Sequence, residues 1–105
     1  MVEHAIKKIT SIARTPELLI REFVFAPGEA TAWHRHSAVT DLCYGLEGRI
    51  CVERRDPEAS AEVAAGAHDV MPPGRVHRLI NLGADDARIL LIQHGGAYDF
   101  VAAPD

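Results

Sequence analysis

GEATAWHRHSAVTDLCYGLEG, residues 28–48, carries two histidines, His34 and His36, one residue apart. In a strand, residues i and i+2 point to the same face, so an extended segment here sets the two imidazoles side by side. Neutral imidazole donates a lone pair without first losing a proton, which makes it the commonest protein metal ligand near neutral pH. Asp41 follows five residues after His36, within reach of a turn that swings its carboxylate toward the pair. A second stretch, GAHDVMPPGRVHRLIN at residues 66–81, supplies the best distant partner, His77. Pro72, Pro73 and Gly74 mark a turn before it, and Val76, Leu79 and Ile80 predict a strand around it. Three imidazoles and a carboxylate suit a borderline divalent metal such as iron, manganese, nickel, zinc or copper. Calcium and magnesium, which prefer oxygen shells, fit poorly.

The punctuation of these stretches resembles a known pair of motifs. Gly28, five residues, His34-x-His36, four residues, Asp41, six residues and Gly48 resemble the first motif of the cupin superfamily, which normally has Glu where this chain has Asp41. Gly66, five residues, Pro72-x-Gly74, two residues, His77, three residues and Asn81 resemble the second motif with every marked position present. The resemblance implies an all-β fold, a small double-stranded β-helix or jelly-roll barrel. It also implies a metal inside the barrel on His34, His36, Asp41 and His77, and frequent homodimers. Its range of activities includes dioxygenases, isomerases, epimerases, lyases, hydrolases and members that only bind a ligand. Phe25–His36 also looks like a subgroup associated with β-amino-acid breakdown. Aspartate reaches roughly 1.5 Å less far than glutamate from the same backbone. Direct ligation after a backbone shift, ligation through water and no ligation all stay open for Asp41.

Bulk properties narrow the classes. The 105 residues, 48% of them hydrophobic, suffice for one core and leave no room for a second domain. The expected division is an N-terminal arm or edge strand at 1–16, the barrel at 17–94 and a tail at 95–105. A formal charge of −4, from 15 acidic and 11 basic side chains, gives nucleic acid or an anionic membrane little to hold. The opening MVEHAIKKIT lacks the apolar stretch of a signal peptide, and no segment is long enough to span a membrane, so the expected location is cytoplasmic.

The remaining segments read mostly as strands. LLIREFVFA at 18–26 is one, with Arg21 and Glu22 on opposite faces. An inward charge there would be a substrate handle, and an outward charge guarding an edge is the favoured alternative. Residues 31–36 form a strand with Trp33 as an outer-face anchor. Residues 42–46 and 49–54 form a hairpin turning at Glu47-Gly48, which places Cys43 opposite Val52 and Cys51 opposite Tyr44, without a disulfide. Cys43 faces inward with Asp41 as a packing residue, and His68 falls outside the ligand spacing. ARILLIQH at 87–94 reads as a strand buried on both faces, ending in Gln93 and His94, candidates for a proton relay at the metal mouth. The tail aromatics Tyr98 and Phe100 need cover, from the barrel or from a partner subunit.

Two functions follow. One is a metal-dependent enzyme, an oxygenase ahead of an isomerase, acting on a small organic acid, amino acid or sugar derivative, with Arg21, Gln93 and His94 as the candidate catalytic groups. The other is a non-catalytic module that binds a small molecule in the same pocket.

Overall fold

A computed structural model describes residues 6–105; of the arm expected at 1–16, residues 1–5 lie outside the described residues, as does the first half of the segment read for a leader. Among the described residues there are strands and no helix: β1 (Lys8–Thr15), β2 (Leu18–Phe25), β3 (His34–Arg35), β4 (Thr40–Glu47), β5 (Arg49–Arg54), β6 (Ala59–Ala64), β7 (His68–Met71), β8 (His77–Ile80), β9 (Ala87–His94) and β10 (Val101–Ala102). They pair into two antiparallel five-stranded sheets, β1-β2-β9-β4-β7 and β10-β3-β8-β5-β6. No described helix is long and apolar enough to cross a membrane.

A two-residue alternation decides which side chains enter the space between the sheets. Leu19, Phe23 and Phe25 of β2, Cys43 of β4, Ile50 and Val52 of β5, Val63 of β6, Leu79 of β8 and Ala87, Ile89 and Leu91 of β9 are all buried. Most of them form one apolar cluster. The same faces continue into polar residues: Asp41 on β4, His77 on β8 and Gln93 on β9 are buried too. The interior therefore has an apolar end and a polar end.

Several sequence expectations change here. Strands β4 and β5 are not a hairpin: β4 pairs with β7 and β9, and β5 with β6 and β8. Only Gly48, with φ of 63°, separates them. Common hairpin loops need at least two residues, so the connection turns a corner from one sheet to the other. The expected register of Cys43 and Cys51 falls with the hairpin, and both cysteines are free. The strand expected at 31–36 shrinks to His34–Arg35 because side chains take over its backbone partners: the Thr31 hydroxyl accepts from Leu79 N, and the Ala32 carbonyl faces His34 Nδ1. Strand β9 is buried on one face only, with Arg88 and His94 exposed and Leu90 and Ile92 half-buried.

The edge-guarding alternative for the charges on β2 does not hold: the strand is flanked on both sides, by β1 and β9, and Arg21 is the inward charge, sharing the inner face with Leu19 and Phe23 while Glu22 takes the outer one. On that outer face, cross-strand pairing lines up Ala13, Ile20, Ile92, Leu42 and Val70 across all five strands of the first sheet.

Two glycines make contrasting demands. A Cβ on Gly45 would lie 2.1 Å from the Ala64 carbonyl oxygen, whereas one on Gly66 meets nothing within 4 Å but sits at φ of 85°. Gly45→Ala is expected to lower unfolding stability by about 3 kcal/mol through backbone collision. Gly66→Ala is expected to lose only about 1–2 kcal/mol, the left-handed backbone cost; urea denaturation of both variants checks the ordering.

Candidate metal centre

Three elements deliver the polar end. His34 lies on β3 and pairs directly with His77 on β8, and His36 follows where the chain leaves β3. Asp41 comes from the opposite sheet, on β4. The ring centroids stand 4.9 Å apart for His34 and His36, 4.3 Å for His34 and His77, and 5.4 Å for His36 and His77. One ligand atom from each imidazole lies within 4.8 Å of the other two, an arrangement that could hold a metal ion. His34, His36, His77 and Asp41 are 4%, 2%, 2% and 5% exposed.

Backbone carbonyls set the tautomers. The three Nδ1 atoms face the carbonyl oxygens of Ala32 at 2.7 Å, Asp99 at 2.6 Å and Arg75 at 2.8 Å for His34, His36 and His77 respectively. A carbonyl only accepts, so each Nδ1 carries the hydrogen, and each Nε2 of a neutral ring presents a lone pair. Burial, then the neighbouring His77, pushes His34 down to about 3, so it stays neutral and ready to ligate.

Asp41 closes the group from the other side. Its Oδ2 lies 3.2 Å from His36 Nε2 and 3.7 Å from His77 Nε2. Donor atoms on one ion at about 2.1 Å, at angles between octahedral and tetrahedral, stand about 3.0–3.4 Å apart. The shorter contact has that spacing and the longer slightly exceeds it. Yet His36 Nε2, His77 Nε2 and Asp41 Oδ1 are buried without a hydrogen-bond partner. A lone pair facing a carboxylate in a dry interior repels it unless a proton or a metal ion lies between them. The shifts express this demand. Burial alone would lower His36, but Asp41 and the Asp99 carbonyl outweigh it and raise the ring. Burial alone would raise Asp41, but His36 and His77 outweigh it and hold the carboxyl below the usual range. The donor set of imidazoles and one carboxylate fits a divalent transition ion.

The other candidates fall in different places. Gln93 is buried, opposite Asp41 in the β4–β9 register, and donates from Nε2 to Asp41 Oδ2 at 3.3 Å. Arg21 Nη2 donates to Gln93 Oε1 at 3.1 Å. His94 is exposed at the end of β9 and, by alternation, on the opposite face from Gln93, so it cannot serve the mouth. His68 is exposed and stacks with Tyr44, ring centroids 6.3 Å apart. Burial raises the Cys43 thiol, as suits a packing residue. Trp33, half-buried, packs under Arg55 at 3.9 Å and Arg78 at 4.9 Å.

The residues that sequence left without a role are in the tail. Strand β10 pairs with β3, and the segment before it lies over the histidines. Phe100 stacks on His34, with centroids 4.2 Å apart and planes at 14°, and the Tyr98 ring lies 5.4 Å from His36. Asp99 binds twice, its carbonyl facing His36 Nδ1 and its Oδ1 accepting from Ser37 N at 2.8 Å. The aromatic-x-aromatic spacing of Tyr98 and Phe100 was the available signal, but it does not say which surface they cover.

Comparison with known proteins agrees with this architecture. An oxalate oxidase in complex with the substrate analogue glycolate has a TM-score of 0.79 and 22% identity, over 92% of this chain and 55% of that one. An uncharacterised Klebsiella pneumoniae protein with a double-stranded β-helix domain has a TM-score of 0.83 and 19% identity, over 97% of this chain and 88% of that one. An RmlC-like cupin from Desulfovibrio desulfuricans has a TM-score of 0.71 and 20% identity, over 83% and 80%. The chain spans about half the length of the oxalate oxidase, 55%. No curated protein sequence matches it. The family model described as Cupin domain, Cupin_2, matches residues 21–93, from Arg21 on β2 to Gln93 on β9, and the chain therefore belongs to the cupin family.

Proposed function

We propose that this cupin is a metal-dependent enzyme acting on a small organic acid, amino acid or sugar derivative, with oxidative chemistry ahead of isomerisation. The observation that carries the proposal is the set of buried, unpartnered atoms, His36 Nε2, His77 Nε2 and Asp41 Oδ1, gathered where His34 adds a third imidazole. Iron, manganese, nickel, zinc or copper on His34, His36, His77 and Asp41 would supply Lewis acidity and, for iron, access to dioxygen.

The protein's own groups have separable tasks. The three backbone carbonyls fix the rings so that each Nε2 faces inward. Tyr98 and Phe100 cover the rings and keep water away, which strengthens every charge inside. Arg21, on the inner face, places a cation where a substrate carboxylate can be received. With His94 turned away, the chain loses its candidate base, which favours oxidation over proton abstraction. Structures similar in fold include oxalate oxidases with bound glycolate, which adds support for a small acid. A non-catalytic binding module is the second reading, favoured by ligands no more than 5% exposed beneath the tail.

Protein purified without added metal and analysed for elements is expected to hold about one divalent transition ion per chain, in keeping with one mononuclear site. His77→Ala is expected to weaken binding at least about 100-fold; unchanged metal content in that variant would sink the metal assignment. Adding iron or manganese to metal-free protein separates the two functions, since turnover of a small acid supports the enzyme and saturable binding alone supports the module.

The tail carries its own expectation. Deleting residues 97–105 removes the Asp99 carbonyl behind His36 and should weaken metal affinity about ten- to hundredfold, whereas Phe100→Leu should leave it within about threefold. Competition with a chelator measures both.

For the expected homodimer, the outer row of Ala13, Ile20, Ile92, Leu42 and Val70 is the proposed contact face. Val70 is 48% exposed, so Val70→Lys should leave the fold intact and convert dimer to monomer in sedimentation. A dimer unaffected by that charge would move the interface elsewhere.

A further inference from the structure

Gln93 stands between a group that can only donate and a group that can only accept. Its Oε1 accepts from Arg21 Nη2 at 3.1 Å, and its Nε2 donates to Asp41 Oδ2 at 3.3 Å. A guanidinium has no acceptor and an ionised carboxylate has no donor, so chemistry permits the amide one orientation. Gln93 is 2% exposed, and its backbone lies directly opposite Asp41. Arg21 reaches it diagonally, since Arg21 pairs with Leu91 and Leu19 pairs with Gln93. A glutamate at this position would set acceptor against acceptor, and an apolar side chain would serve neither neighbour.

Asp41 has a physical need for such a clamp. Its terminal torsion is broad and roughly two-fold, so packing alone does not choose which oxygen faces the imidazoles. Only Oδ2 approaches His36 and His77, while Oδ1 is buried without a partner. We infer that Gln93 is a positioning residue: oriented by Arg21, its amide fixes Asp41 Oδ2 at the distance from His36 and His77 that lets the carboxylate complete the metal site. This rests on the metal assignment above, and Gln93 is not among the residues assigned to the ion. Arg21 thereby acquires a structural duty at the inner end of a relay, Arg21 to Gln93 to Asp41, that runs across three neighbouring strands, β2, β9 and β4.

The test uses cobalt(II), whose visible spectrum reports ligand number and geometry, on the full chain. Gln93→Met keeps length and volume while removing both hydrogen bonds; Gln93→Glu keeps an acceptor for Arg21 but turns an acceptor on Asp41. Both variants should bind cobalt about ten- to hundredfold more weakly than wild type, and their spectra should shift toward that of Asp41→Asn. Because Gln93 acts through Asp41, the Asp41→Asn, Gln93→Met double variant should bind no more weakly than Asp41→Asn alone. Wild-type affinity with an unchanged spectrum in Gln93→Met, or losses that add in the double variant, would overturn the positioning role and leave the metal site standing. If Gln93→Met fails to fold, Gln93→Glu carries the same expectations. Wild-type protein that binds no cobalt would instead overturn the metal assignment and this inference with it.

Discussion

A histidine ring nitrogen facing a carboxylate across 3.2 Å of buried interior is the constraint around which this domain is built. His36 Nε2 and Asp41 Oδ1 have no hydrogen-bond partner, and His36 Nδ1 is already committed to the Asp99 carbonyl. A buried acceptor left unmet costs about 1–3 kcal/mol, so atoms of this kind cluster only where something cationic completes them. A proton can do so for one pair, and His36 is raised accordingly. A divalent ion could do so for the imidazoles of His34, His36 and His77, which stand close enough to share one.

Holding that repulsive arrangement open requires rigidity from both sides. The imidazoles belong to one sheet and the carboxylate to the other, so the separation between them is set by packing of the apolar end of the same interior. Phe23 and Phe25, 6.0 Å apart, sit with Ile50, Val52, Val63 and Ile89 as the wedge that keeps the sheets at that spacing. Asn81 ties the ends together without touching the site: its amide donates to the carbonyls of Phe25 and Asp85 and accepts from Gly83 N. The last marked position of the second motif is thus explained by loop architecture, and its first by backbone, Gly66 standing at φ of 85°.

How much could be read beforehand follows from what kind of force fixes each feature. Inward parity at Asp41, Cys43 and Leu79, and the meeting of His34, His36 and His77, were legible because period-two alternation and motif spacing are local signals. The β4–β5 corner was misread as a hairpin because Glu47-Gly48 announces a turn without saying whether the next strand returns to the same sheet; the one-residue gap, visible only with strand ends known, decides it. Alternation sets Arg21 and Glu22 on opposite faces without saying which is inner, and the edge-guarding alternative for such a charge fails because β1 and β9 flank the strand, a fact of topology. His94 and Gln93 are adjacent in sequence, and alternation allotted only one of them to the interior. Without the absolute parity of β9, their roles could not be separated.

The tail is where sequence had least to say and where the site gains a property that its ligands alone lack. Phe100 lies flat on His34, and the Asp99 carbonyl holds the Nδ1 hydrogen of His36, so the segment that excludes solvent is also the one that sets a ligand's tautomer. An enclosing lid and a second layer of hydrogen bonds are usually separate elements, and each can be altered without the other. Here one backbone segment performs both tasks, anchored by β10 on β3 and by the Ala103 amide on the Trp33 carbonyl. Any displacement of residues 98–100 that uncovers His34 must also loosen the partner of His36. Exposure of the histidine cluster and the basicity of one of its rings are therefore coupled by covalent continuity.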